Sequence, residues 1–120
     1  MAGQMVHVEM PAGDPGAARE FWGSLFGWQF EAYPGPTEYH MTRLSESQGA
    51  AVSGDDRRGL RVYFDVDDIN SATARVSELG GEGGEAAPVP GMGWFAVCKD
   101  NQGNDFGLWQ TDPEAPTPEM

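Results

Sequence analysis

The chain contains one cysteine, two histidines and seven basic residues among 120. Because Cys98 has no second cysteine to pair with, an internal disulfide is excluded, and we expect a reducing compartment such as the cytoplasm. Nineteen acidic residues give a formal net charge of −12, which disfavours nucleic acid and anionic membranes as partners. No apolar run approaches the ~20 residues that span a membrane, and the first residues lack the basic and apolar parts of a signal peptide. We therefore expect a cytoplasmic protein that binds neither nucleic acid nor membrane.

The sequence repeats itself when it is shifted by 54 positions. GDPGAAREFWGSLFGW (residues 13–28) then overlays DDINSATARVSELGGE (residues 67–82). The same shift, without a gap, aligns residues 6–8 with residues 60–62. Such a repeat predicts two copies of one supersecondary unit of about fifty residues.

Each copy predicts a strand, a helix and three further strands. Alternating apolar and polar residues open each copy as a strand, and an aspartate N-cap, an apolar stripe and a glycine delimit each helix. The predicted helices are Pro15–Phe26 and Ile69–Leu79. The predicted later strands are Trp28–Tyr33, Glu38–Leu44, Gly49–Ser53, Glu85–Pro88, Gly93–Cys98 and Asp105–Gln110.

These elements predict an α+β fold of two tandem βαβββ modules. We expect one domain over residues 1–110, with module one at 5–54, a linker at 55–59 and module two at 60–110. The segment 111–120 contains three prolines and no apolar periodicity, so it is predicted to be a disordered tail.

One face of each predicted sheet has no helix to cover it. The side chains expected there mix charged and aromatic types, which is more typical of a ligand pocket than of a plain solvated face. Trp94 lies in a segment rich in glycine and proline, where it could close over a ligand or form a dimer contact. The candidate ligand-binding residues are His7, Glu9, Met41, Arg61, Tyr63, Asp65, Trp94 and Trp109.

Three segments resemble the vicinal oxygen chelate superfamily, which includes glyoxalase I, bleomycin-resistance proteins and extradiol dioxygenases. They are VHVEMPAGDPGAAREFWGSLFGW, VYFDVDDI leading into ARVSELGG, and PVPGMGWFAVCKDNQGNDFGLWQ. The resemblance covers Val6–Gln110. It implies that the paired modules form a U-shaped cup, and that the chain forms a homodimer, as small members usually do.

The resemblance also implies where a metal would bind. Catalytic members hold a divalent metal with side chains from the first and last strands of each module, which are His7, Ser53, Arg61 and Gly107 here. Only His7 is a metal ligand by its chemistry, since Arg61 is a permanent cation and Gly107 has no side chain. We therefore expect no metal or other cofactor, while a divalent metal remains the alternative.

These observations lead to three functional hypotheses. The first is a metal-free small-molecule-binding protein of the superfamily, which sequesters an aromatic natural product or drug, as antibiotic-resistance members do. The alternative is a glyoxalase-like metal-dependent lyase, isomerase or dioxygenase, in which His7 and Glu9 act as metal ligand or general base. The third is a subunit or regulator whose cup is vestigial.

Overall fold

The computed structural model describes residues 2–35, 37–55, 57 and 59–117. The elements follow one another as β1 (Met5–Pro11), α1 (Pro15–Phe26), β2 (Glu31–Ala32), β3 (Tyr39–Arg43), β4 (Gly49–Ser53), β5 (Arg61–Asp65), α2 (Ile69–Glu78), β6 (Ala87–Val89), β7 (Gly93–Lys99) and β8 (Asp105–Thr111). This order is an α+β fold of two βαβββ copies, as predicted. The chain divides into two compact units: the first unit is His7–Arg61, and the second unit is Met1–Val6 with Val62–Met120.

In the first unit the strand order is β2-β3-β4-β1, with β4 parallel to β1 and the other pairs antiparallel. Helix α1 begins after Asp14, whose side chain accepts a hydrogen bond from the backbone N–H of Ala17, and it ends at Gly27 with φ of 74°. A positive φ favours glycine, which explains why a glycine ends this helix. The core of this unit is formed by strand and helix side chains together: Val8, Met10, Ala18, Trp22, Ala50 and Val52.

The second unit repeats this topology, with strand order β5-β8-β7-β6 and β8 parallel to β5. Asp68 caps α2 by accepting from the N–H groups of Asn70 and Ser71. The Oε1 atom of Gln110 accepts from the N–H of Ile69 at 2.9 Å and so ties β8 to the start of the helix. The buried core is Ile69, Ala96, Cys98 and Leu108.

The first predicted strand after α1 is much shorter in the structure than in the sequence prediction. Trp28 and Phe30 pack against the first core instead, and the rings of Trp22 and Trp28 are stacked with centroids 5.9 Å apart. Aromatic residues favour strands and buried contacts alike, so their pattern did not distinguish the two. Only Glu31 and Ala32 pair as β2.

The internal repeat loses two residues of register before the last strand. Glu9 pairs with Ala51, whereas Tyr63, at the position equivalent to Glu9, pairs with Gly107. The residue equivalent to Gly107 is therefore Ala51, and not Ser53, which an ungapped shift of 54 positions would give. Because the slip is an even number of residues, the faces of the strands were still predicted correctly.

The expected disordered tail begins later than Thr111, because that residue ends β8. Ala115 is buried, with 6% of its surface exposed, and its carbonyl accepts a hydrogen bond from the N–H of Gly91 at 3.0 Å. Residues 112–117 thus belong to the second unit and are anchored in it by Ala115, while residues 118–120 lie outside the described part of the chain. In the described ranges, neither helix has the length and hydrophobicity needed to cross a membrane.

Candidate functional site

Two charged or polar side chains of β1 lie on the strand face that α1 does not cover. Val8 and Met10 pack into the first core, so His7 and Glu9 point the other way, as alternation along a strand requires. Ala51, whose side chain is small, pairs with Glu9 across β4. Glu9 is 8% exposed, and a carboxylate buried to that degree needs polar partners.

Tyr39, the first residue of β3, joins His7 to Glu9. The Tyr39 Oη lies 2.8 Å from His7 Nε2 and donates to Glu9 Oε2 at 2.9 Å. The two rings are nearly parallel, with an interplanar angle of 22°. Tyr39 was missed from the sequence, although it lies two residues before Met41 and therefore on the face already predicted for Met41.

Two guanidinium groups neutralise Glu9. Arg57 donates from Nη2 to Glu9 Oε1 at 2.9 Å, and Arg61 donates from Nη1 to the same oxygen at 3.3 Å. The Arg61 side chain is 12% exposed and the Arg57 side chain 23%. Arg57 was missed because it falls in the predicted linker, where a charged residue is usually solvated. We call His7, Glu9, Tyr39, Arg57 and Arg61 the polar cluster.

Asp55 extends the polar cluster at its edge. Its carboxylate accepts from Ser53 Oγ at 2.8 Å and from the backbone N–H of Arg57 at 2.8 Å. Burial opposes ionisation of Asp55, but these two hydrogen bonds and the charges of Arg57 and Arg61 outweigh it, so the pKa of Asp55 is lowered. The carboxylate therefore stays ionised and holds Arg57 in place.

Burial lowers the pKa of His7 below its ordinary value, and the nearby charge of Glu9 only partly opposes this effect. At neutral pH the imidazole is consequently uncharged. A neutral imidazole carries one N–H donor and one acceptor nitrogen, so His7 can exchange hydrogen bonds without adding to the positive charge of the two arginines.

The other predicted residues of the uncovered face belong to the second unit, apart from Met41, which is half-buried in the first. Tyr63 is 5% exposed. Asp65 accepts from the backbone N–H of Gln4 at 2.8 Å, so it holds the N-terminal segment. Trp109 pairs with Phe95 across β7 and β8 and donates to Thr111 Oγ1 at 3.1 Å. Tyr63, Phe95 and Trp109 form what we call the aromatic face.

Trp94 does not belong to the aromatic face, which corrects the expected site. It pairs with Gln110 on β8 rather than with Trp109, and it packs against the core on the α2 side. Its Nε1 donates to Asp112 Oδ2 at 2.9 Å. The side chain is therefore engaged with the helix side of the sheet and with the segment after β8, and it does not close over the opposite face.

The positions at which the superfamily holds a metal do not fit one here. The Glu9 carboxylate is occupied by two guanidiniums, which would repel a divalent ion. Of the two last-strand positions that the resemblance implies, Ser53 donates its hydroxyl to Asp55 at 2.8 Å, and Gly107 has no side chain. A Cβ placed on Gly107 would overlap the ring of Tyr63, whose Cγ would lie 2.7 Å away. Among the described residues, no group of three or more His, Cys, Asp or Glu side chains could hold a metal ion.

Comparison with known proteins gives matches over most of the chain. The family model described as "Glyoxalase-like domain" matches residues 5–109. The candidate glyoxylase CFP32 of Mycobacterium bovis is 28% identical over 116 residues, which cover 88% of this chain and 44% of CFP32. This chain thus spans less than half the length of CFP32. A glyoxylase-like domain-containing protein of Didymella fabae is 28% identical over 124 residues, covering 88% of this chain and 92% of that protein.

Solved structures share the fold at low sequence identity. A methylmalonyl-CoA epimerase of Streptomyces coelicolor, solved with 2-nitronate-propionyl-CoA, superposes with a TM-score of 0.72 at 12% identity, covering 98% of this chain and all of that one. A glyoxalase/bleomycin resistance protein/dioxygenase superfamily member of Vibrio splendidus 12B01 gives a TM-score of 0.68 at 16% identity, covering 93% of this chain and 100% of that one. At such identities the likeness establishes the fold alone.

Proposed function

The chain belongs to the glyoxalase-like domain family of the vicinal oxygen chelate superfamily, and on this premise we propose that it binds a small organic molecule without a resident metal ion. A fold shared by several activities does not select one of them. The proposal therefore depends on the chemistry of the side chains rather than on the family.

The state of Glu9 is the observation that carries the proposal. A metal-binding carboxylate has to present an oxygen to the ion, whereas Glu9 Oε1 accepts from two arginines and Oε2 accepts from Tyr39. If Glu9 bound a metal, the two largely buried guanidiniums would lose the carboxylate that they share, which is costly. The polar cluster is instead suited to orient a polar group of an organic ligand by hydrogen bonds.

The side chains of the aromatic face are suited to bind an aromatic ligand, such as the natural product or drug that a sequestering protein would hold. Trp109 and Phe95 are half-buried neighbours on β8 and β7, and flat rings stack favourably on such side chains. The indole of Trp109 lies close over Gly93, where a Cβ would lie 2.6 Å from its ring. The glycine thus allows the indole to rest against the backbone of β7.

A thermal-shift screen of aromatic metabolites and drugs, run with EDTA, tests this proposal. A bound ligand raises the free energy of unfolding by RT ln(1 + [L]/Kd) and thereby the melting temperature, so at least one compound is expected to stabilise the protein in the presence of EDTA. Trp109→Leu should then weaken its binding about 2- to 10-fold, the range expected for one aromatic stacking contact. Leu79→Ala, an exposed change at the end of α2, is the control and should leave the affinity unchanged. A ligand that binds only after metal is added would refute the proposal.

The alternative function is a glyoxalase-like metal-dependent lyase, isomerase or dioxygenase. The names of the similar proteins favour it, because they include glyoxylases and an epimerase. His7 also favours it, since a neutral imidazole can bind a metal. Stoichiometric metal in the purified protein, together with turnover that EDTA abolishes, would select this alternative.

We also propose that the chain forms a homodimer. Phe21, Leu25 and Phe26 on α1 are each more than half exposed, at 60%, 56% and 55%. Three exposed apolar side chains on one helix favour burial of that helix face against another protein surface. Light scattering on the eluting protein would measure the mass directly, and a monomer at micromolar concentration would contradict the proposal.

A further inference from the structure

Three side chains of the polar cluster form one continuous hydrogen-bonded chain. His7 Nε2 lies 2.8 Å from Tyr39 Oη, and Tyr39 Oη lies 2.9 Å from Glu9 Oε2. Both distances are within the ordinary range for hydrogen bonds. The tyrosine hydroxyl therefore links the carboxylate of Glu9 to this ring nitrogen.

Counting donors fixes the direction of both bonds. An ionised carboxylate can only accept, so the single proton of the Tyr39 hydroxyl is directed to Glu9. The hydroxyl oxygen then has only lone pairs left for His7, and the bond to the ring requires a proton on Nε2. In the opposite arrangement Tyr39 would donate to His7. The Tyr39 Oη and Glu9 Oε2 atoms would then lie 2.9 Å apart without a proton between them.

From this geometry we infer that Tyr39 is a positioning residue that holds His7 in the neutral tautomer with its proton on Nε2. Glu9 acts on the ring through the tyrosine hydroxyl. Because burial lowers the pKa of His7 and so favours the neutral ring, the unprotonated nitrogen is then Nδ1. The rings of His7 and Tyr39 are also nearly parallel, at an interplanar angle of 22°.

A fixed tautomer of His7 matters for ligand binding by the polar cluster. Its significance rests on the proposed function, since His7 would meet the ligand with a ring whose orientation and tautomer are already fixed. Fixing them before binding reduces the entropy that binding must overcome. It also makes Nε2 a hydrogen-bond donor and leaves Nδ1 as the acceptor atom of the ring.

Nuclear magnetic resonance of the ligand-free protein tests the inference. Long-range 1H–15N correlation spectra, recorded at pH 8 on uniformly 15N-labelled protein, distinguish the two neutral tautomers by the shifts of both ring nitrogens. The chain has only two histidines, and His40→Asn assigns the remaining signals to His7. We expect Nε2 to show the shift of a protonated nitrogen and Nδ1 that of an unprotonated one.

Tyr39→Phe removes the hydroxyl and keeps the ring. The two nitrogen shifts of His7 are then expected to move toward each other, because the ring samples both tautomers. Tyr33→Phe is the matched control and should leave the His7 spectrum unchanged. Backbone amide spectra check that each variant is folded.

Two results would overturn the inference. One is a wild-type spectrum in which Nδ1 of His7 carries the proton, which needs no variant to be folded. The other is a folded Tyr39→Phe variant with the wild-type pattern. This experiment uses no ligand, so neither result decides the outcome of the ligand screen. The inference and the proposed function can therefore fail separately.

Discussion

Arg61 donates a hydrogen bond from Nη1 to Oε1 of Glu9 at 3.3 Å, and the internal repeat places this arginine at the position equivalent to His7. Two modules that repeat one topology thus carry an imidazole in one and a guanidinium in the other. The guanidinium cannot lose its charge in a protein, so its place at a first-strand position converts a potential ligand site into an ion pair.

Removing the charge of Glu9 should destabilise the protein. Glu9→Gln leaves Arg57 and Arg61 without their shared carboxylate, and unfolding in urea should show a loss of about 2 kcal/mol. This is below the 3–5 kcal/mol typical of a fully buried pair, because both guanidiniums keep some contact with solvent. Glu78→Gln is the matched control, since Glu78 pairs with Arg75 on the surface and should change stability by less than about 0.5 kcal/mol. Equal effects of the two substitutions would show that the polar cluster is no more than a surface network.

His7 should make the protein less stable as the pH falls. Its pKa is lowered in the folded state, so below the ordinary pKa of about 6.5 the unfolded chain binds a proton more readily than the folded one. Stability is then lost as the pH falls through 6.5 toward the folded pKa, and the contribution of His7 levels off below that value. Urea midpoints between pH 8 and pH 5 should therefore drop more steeply for the wild type than for His7→Asn. Parallel curves would contradict the lowered pKa.

The close contact between Gly107 and Tyr63 predicts an overpacked variant. Gly107→Ala would place a Cβ into the ring of Tyr63, and we expect a loss of about 1–3 kcal/mol in the free energy of unfolding. Gly13→Ala, where a Cβ meets nothing within 4 Å, should be nearly neutral. If the clash is the cause, adding Tyr63→Ala to Gly107→Ala should cost less than the sum of the two single changes. Full additivity would assign the loss to another cause.

The segment after β8 should contribute to stability. Ala115 is 6% exposed, and the carbonyl of the same residue accepts from Gly91, so Ala115→Asp places a charge in a buried position. Thermal unfolding should show a clear decrease in Tm, because an unpaired buried charge is costly. The exposed Thr117→Asp carries the same charge on the same segment and should have little effect. If both variants melt like the wild type, the segment is not packed as described.

The helices were predictable because local signals determine them. Asp14 with Pro15 at the start and Gly27 at the end gave the limits of α1, and the structure has the same limits. Helix α2 ends one residue earlier than expected, with Leu79 as its C-cap. The strand faces followed from alternation, which places His7 and Glu9 opposite Met10.

The partners within the site were less predictable, because they depend on contacts between distant segments. Arg57 is 48 residues from Glu9 in sequence, and Tyr39 is 30 residues away. Alternation gave the face of Tyr39 but not its hydroxyl contacts, and nothing local in the linker distinguished Arg57 from a solvated residue. The register slip that equates Ala51 with Gly107 is likewise invisible in the sequence, since the helices align without a gap.

The metal content of the purified protein tests the central claim most directly. The protein would be incubated with equimolar Ni²⁺, Zn²⁺, Fe²⁺ or Mn²⁺, desalted and measured by elemental analysis, with His7→Ala in parallel. We predict far less than one ion per chain for every metal and no difference between the two proteins. One tightly held ion per chain in the wild type, lost in His7→Ala, would contradict the claim.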